Sequence, residues 1–175
     1  MRNKLSILFI LCAALWLPAC EKENPVERQE EKIESYIKAK MNKDPRLKLL
    51  HDNSIYYLYL PGDTTAGVST GDSIYFYYAA TLVDDTLSYF DTNDIALAEA
   101  LKLNTESRNF EPMGVIVGNN NLLPGLSAGL NMVHSGDRGE IIFNSDMGFG
   151  EKGNGIVPPL SALIFKIIIV GMKKN

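Results

Sequence analysis

Hydrophobic positions change their spacing twice along this chain. Residues 5–17 form a short apolar run behind the basic start Met1-Arg2-Asn3-Lys4. That run is shorter than the roughly 20 residues a helix needs to span a bilayer. Residues 21–52 carry 8 acids and 8 bases, and among them Ile33, Tyr36, Ile37 and Met41 recur at helical spacing. This predicts an amphipathic helix that Pro45 ends. From Ser54 onward, tyrosine-rich and β-branched runs predict strands over 54–60, 73–83, 113–117 and 139–143, with one short helix over 122–132. The apolar run 162–170 predicts a central strand buried on both faces. Several strands with one short helix give an α+β domain.

The chain of 175 residues therefore divides into a leader over 1–19, a charged tether or helix over 20–52, and a domain over 53–175. The helical stripe of 21–52 has two readings: a solvated tether, or a helix that pairs two copies into a homodimer. Leu17-Pro18-Ala19-Cys20 resembles a bacterial lipobox. The resemblance implies that Cys20 is acylated and holds the protein to a membrane of the bacterial cell envelope, facing the periplasm or the surface. The alternative is an ordinary cleavage site. Charge sharpens the picture: 17 bases against 21 acids give −4, and loss of Arg2 and Lys4 with the leader leaves 15 against 21, or −6. A protein built to neutralise phosphates carries the opposite sign, so no nucleic-acid partner is expected.

Most reactive chemistry lacks its parts. The only histidines, His51 and His134, are far apart, and Cys12 and Cys20 both lie at the leader. A metal site needs three or four ligands, and no short-spaced set exists, so no metal and no cofactor are expected. No nucleophile elbow, phosphate loop or dinucleotide fingerprint is present.

What is present comes in a fixed order. Tyr78 lies on one strand and Phe90-Asp91 on the next. Leu122-Leu123-Pro124-Gly125-Leu126 leads into the short helix, and Gly148-Phe149-Gly150, Ile156-Val157-Pro158-Pro159 and Leu163-Ile164-Phe165 follow. This series, over about residues 70–172, resembles the FKBP-type peptidyl-prolyl cis-trans isomerases. The resemblance implies an antiparallel five-stranded sheet wrapped around one short helix, here preceded by the charged helix. It implies catalytic positions at Tyr78, Phe90, Asp91, Phe149 and Phe165, and substrate-binding positions at Met113, Leu122, Leu123, Leu126 and Val157. Three departures stand out. Leu126 replaces the family's usual Trp, and Phe149 replaces a Tyr that donates to ligand carbonyls. Residues 92–112 exceed the usual connection; their stretch 95–103 has high helix propensity and reads either as a lid or as a surface insertion.

The implied activity is cis–trans isomerisation of X–Pro bonds, with proline-containing unfolded or exported polypeptides as partners. It needs no acid, base or nucleophile, which agrees with the missing chemistry. The rival reading is a non-catalytic FKBP-like chaperone or binding module on the same lipid anchor.

Overall fold

The computed structural model describes residues 24–62, 66–84, 86–106, 108–119 and 121–175. The leader over 1–19 and Cys20 lie outside them. Helix α1 (Pro25–Lys43) begins where its composition allows: the Asn24 side chain accepts from the Val26 N–H at 3.1 Å, and Pro25 occupies the first turn. It stops two residues before Pro45. Strands β1 (Lys48–Asp52), β2 (Ile55–Leu60), β3 (Ser73–Leu82) and β4 (Tyr89–Thr92) follow, then α2 (Ile95–Ala100) and β5 (Met113–Ile116). Helix α3 (Pro124–Gly129), β6 (Arg138–Phe143), a 3-10 turn (Ser145–Met147) and β7 (Leu163–Lys173) complete the order.

The described strands form one antiparallel sheet of seven, not five, in the order β1-β2-β6-β7-β3-β4, with β5 also pairing β3. Strand β1 corrects the expectation that residues 48–52 belong to the charged segment. Its Lys-Leu-Leu-His-Asp sequence is exposed at every position, so no alternation marks it as a strand. The tight turn into β2 marks it instead: Asn53 adopts φ 50°, a left-handed conformation that asparagine tolerates.

Successive residues of a strand point to opposite faces, and here both faces are filled. Ile55, Tyr57 and Tyr59 of β2, Ile141 and Phe143 of β6, and Leu163, Phe165, Ile167 and Ile169 of β7 enter the inner core with Leu126 and Leu130. Tyr56, Leu58, Ile142 and Ile164 point the other way and pack with Ile33 and Ile37 of α1. Helix α1 is thus docked on the outer face of the sheet. Its stripe, read from sequence as tether or dimer contact, is spent inside the chain. Polar contacts at the stripe's edge add to the packing: the Tyr36 hydroxyl donates to Glu140 at 2.8 Å, and the Lys40 ammonium reaches the same carboxylate at 2.7 Å.

Helix α3 lies so close to β6 that two of its positions exclude any side chain. A Cβ on Gly125 would sit 2.3 Å from the Phe143 ring, and one on Gly129 would sit 2.2 Å from Ile141. Replacing Gly125 with Ala forces the helix off the sheet or the ring off its rotamer. Gly125→Ala is expected to cost about 1–3 kcal/mol, typical of overpacked cores. Urea unfolding measures it, and an unchanged midpoint would contradict this close approach.

Candidate functional site

A cavity of about 600 Å³ opens between the β3–β4 pair, the start of α3 and the loops around Phe149 and Ile156. Tyr78 of β3, Phe90 and Asp91 of β4, Met113 of β5, and Phe165 of β7 line the sheet side. Leu122, Leu123 and Leu126 line the helix side, and Phe149 stands opposite Phe90. The rings interlock. Phe90 meets Phe149 and Phe165 edge-on, each with centroids 6.3 Å apart, and Phe143 stacks under Phe165 at 5.9 Å. Such edge-to-face pairs are favourable beyond their area alone, which makes the wall stiff.

One expected position lies elsewhere. Val157 is 1% exposed and belongs to the inner core, while Ile156, 73% exposed, stands at the cavity. The loop geometry explains the exchange. The Asn154 side chain accepts from the Val157 N–H at 2.8 Å, and the Asn154 N–H donates to the Val157 carbonyl at 3.1 Å. Gly153 makes that loop possible with φ 64°, because a Cβ there would lie 2.2 Å from the Val157 carbonyl oxygen.

The polar part of the cavity is a chain of three side chains. The Tyr78 hydroxyl donates to Asp91 Oδ2 at 2.8 Å. Asp91 Oδ1 accepts from its neighbour's Thr92 N–H at 2.9 Å and from the Arg108 guanidinium. Arg108 also donates to the Thr92 carbonyl at 2.9 Å and lies 5.7 Å from the Phe110 ring. Tyr78 is therefore a committed donor, and Asp91 is tied on both oxygens.

Sequence reasoning missed Arg108, along with Asn121, Asn154 and Ile156, which also reach the cavity. Arg108 lies 17 positions from Asp91, with no pattern joining them. The available signal was a demand: a half-buried carboxylate needs a cation, and the 92–112 segment supplies only Lys102 and Arg108. Among the described residues of that segment, Arg108 is the one that lines the cavity; α2 does not. Asn93 ties the segment down. Its side chain accepts from the Tyr78 N–H at 2.6 Å and donates to the Phe76 and Glu111 carbonyls at 3.1 and 3.0 Å. Among the described residues no group of His, Cys, Asp and Glu gathers as a metal site.

The fold is that of solved FKBP structures. The N-terminal domain of FKBP42 from Arabidopsis thaliana superposes with a TM-score of 0.58 at 17% identity, covering 73% of this chain and 93% of that one. FkpA from Escherichia coli superposes at 0.57 and 19% identity, over 85% of this chain and 61% of its own. Residues 65–170, more than half of the chain, match the family of FKBP-type peptidyl-prolyl cis-trans isomerases, and the chain belongs to that family. Mouse (Mus musculus) peptidyl-prolyl cis-trans isomerase FKBP9 is 32% identical over 101 residues, which are 58% of this chain but 15% of that protein. FK506-binding protein 1 of Yarrowia lipolytica is 24% identical over 113 residues, 64% of this chain and 91% of its own. The chain thus spans a small part of the first relative and nearly all of the second. Helix α1 and β1–β2 precede the matched region.

Burial pushes the Tyr78 phenol well above its usual range, and the hydrogen bond and negative charge of Asp91 push it further. Desolvation does the same to Tyr57 and Tyr36, and raises Tyr56 to about 12. Their neutral forms are favoured in the fold, so this contribution to stability is complete below an unfolded pKa of about 10 and is lost as pH rises through the raised values. At pH 11 the folded protein is expected to show phenolate absorbance for fewer than its eight tyrosines. The missing absorbance should appear together with loss of the near-ultraviolet dichroism. All eight ionising in an intact fold would contradict the buried placement.

Proposed function

We propose that this chain is a peptidyl-prolyl cis-trans isomerase that binds X–Pro segments of unfolded exported polypeptides in the aromatic cavity. The observation that carries the reading is a cavity lined mostly by aromatic and aliphatic side chains, in which Tyr78, Asp91 and Arg108 are already paired with one another. Rotation about the peptide C–N bond meets a barrier of about 18–20 kcal/mol because amide resonance is lost, and unassisted X–Pro exchange takes tens to hundreds of seconds. The twisted amide is less polar than the planar one. A wall of ring edges therefore disfavours the planar, solvated form more than the twisted form, and each 1.36 kcal/mol of that difference is a tenfold rate. Phe90, Phe149 and Phe165 would supply the wall, Leu126 the floor, and the Tyr78–Asp91–Arg108 chain would hold β3 against β4.

Two departures set the strength of the site. Leu126 makes a softer floor than an indole, and Phe149 offers no hydroxyl to a ligand carbonyl. The missing hydrogen bond lowers ligand affinity by about 0.5–1.5 kcal/mol. That observation favours a second reading, in which the cavity holds proline-containing chains without accelerating isomerisation. The lipobox-like Leu17-Pro18-Ala19-Cys20 supports a lipid anchor at Cys20 and a place in the bacterial cell envelope.

Exchange spectroscopy on an X–Pro peptide with the full chain tests the reading. Acceleration is expected, and Phe90→Ala should reduce it at least about tenfold while the near-ultraviolet dichroism shows a folded domain. Peptide binding without acceleration in the unmodified protein would leave the second reading.

A further inference from the structure

Helix α1 lies outside the family-matched region and on the opposite face of the sheet from the cavity, yet its hydrogen bonds run directly toward the cavity wall. The Gln29 carboxamide is 6% exposed and engages Ser145 twice: it accepts from the Ser145 N–H at 2.7 Å and donates to Ser145 Oγ at 3.0 Å. Glu30 holds the preceding residue, accepting from the Asn144 side chain at 2.6 Å, and its second oxygen accepts from the Tyr56 hydroxyl at 3.0 Å. Ser145 is fully buried, and its carbonyl closes the next turn. That carbonyl accepts from the Gly148 N–H at 2.9 Å and from the Gly150 N–H at 2.8 Å. Phe149 sits between those two donors, with its ring edge-on to Phe90 across the cavity. The Gly150 carbonyl in turn accepts from the Leu160 N–H at 3.0 Å, tying in the loop that carries Ile156.

We infer that Gln29 is a positioning residue for the Phe149 wall, so that α1 is a working part of the cavity and not only its stabiliser. All three polar groups of Ser145 are engaged, two by α1 and one by the Phe149 turn. If Gln29 is lost, a buried N–H and a buried hydroxyl lose their partners, and the turn is free to rotate its ring away from Phe90. The consequence for X–Pro segments rests on the isomerase reading above; the mechanical link does not.

The test uses four full-length chains: unmodified, Gln29→Leu, Gln29→Glu, and Ile37→Ala. Ile37 packs at the middle of the same helix, away from Ser145, so its variant loosens α1 without touching the clamp. Amide hydrogen exchange at Gly148 and Gly150 reads the turn directly. Gln29→Leu is expected to speed exchange at these two amides about tenfold relative to amides of β6 and β7. Gln29→Glu, which still accepts from the Ser145 N–H, should restore much of the protection. Ile37→Ala should shift all amides alike. In parallel, an X–Pro peptide should bind Gln29→Leu about fivefold more weakly than Ile37→Ala. Unchanged relative exchange at Gly148 and Gly150 in Gln29→Leu, or the same local change in Ile37→Ala, would overturn the inference. Absence of peptide binding in the unmodified chain would instead defeat the isomerase reading, while exchange would still decide the link.

Discussion

Burial of strands β2, β6 and β7 on both faces is the constraint from which the other features follow. An antiparallel sheet with one apolar face needs one cover. This sheet carries Tyr57, Ile141, Phe143 and Phe165 inward and Tyr56, Leu58, Ile142 and Ile164 outward, so it needs two. Helix α3 supplies the inner cover and α1 the outer one. Because α3 is a six-residue helix with glycine at its contacts, it approaches β6 closely but leaves its flank open beside β3 and β4. The cavity is that flank. The aromatic residues around it are the edge of the same core that fills the space under the helix.

Polar groups in this arrangement serve geometry more than chemistry. Tyr78, Asp91 and Arg108 satisfy one another at the cavity wall, and Asn93 clamps both ends of the 92–112 segment to β3. Asp137, buried beneath β2, accepts from the Tyr57 hydroxyl and from the backbone N–H groups of Gly62 and His134. In each case a carboxylate or carboxamide bonds groups from segments distant in sequence and fixes their separation. At the cavity the result is a wall whose shape is set by ring packing and by hydrogen bonds made within the chain. The Gln29–Ser145 contact belongs to the same pattern, extended from the outer face of the sheet to the inner one.

The charged N-terminal stretch shows how far composition can mislead. Half of residues 21–52 are Asp, Glu, Lys or Arg, which reads as solvated chain, yet Ile33 and Ile37 at helical spacing are enough to dock a helix when a sheet offers an apolar outer face. Strand β1 gave no periodic signal because edge pairing through the backbone does not depend on what its side chains bury.

Much of this protein was legible in one dimension. The alternating and continuous apolar runs placed β2, β3, β5, β6 and β7, the stripe placed α1, and the ordered aromatic and glycine motifs pointed to the family and to Tyr78, Phe90, Asp91, Phe149 and Phe165. These features are local in sequence or were read by resemblance. What the sequence did not reveal depends on through-space partners. Arg108 joins Asp91 from a segment without periodicity, Ile156 takes the wall in place of Val157 because Asn154 and Gly153 turn the loop, and Gln29 meets Ser145 across 116 positions of chain. Hydrophobic periodicity reports which face a residue shows, since that follows from backbone geometry alone. It does not report which buried donor meets which acceptor, because that is decided only when the sheet has brought distant segments within hydrogen-bonding reach.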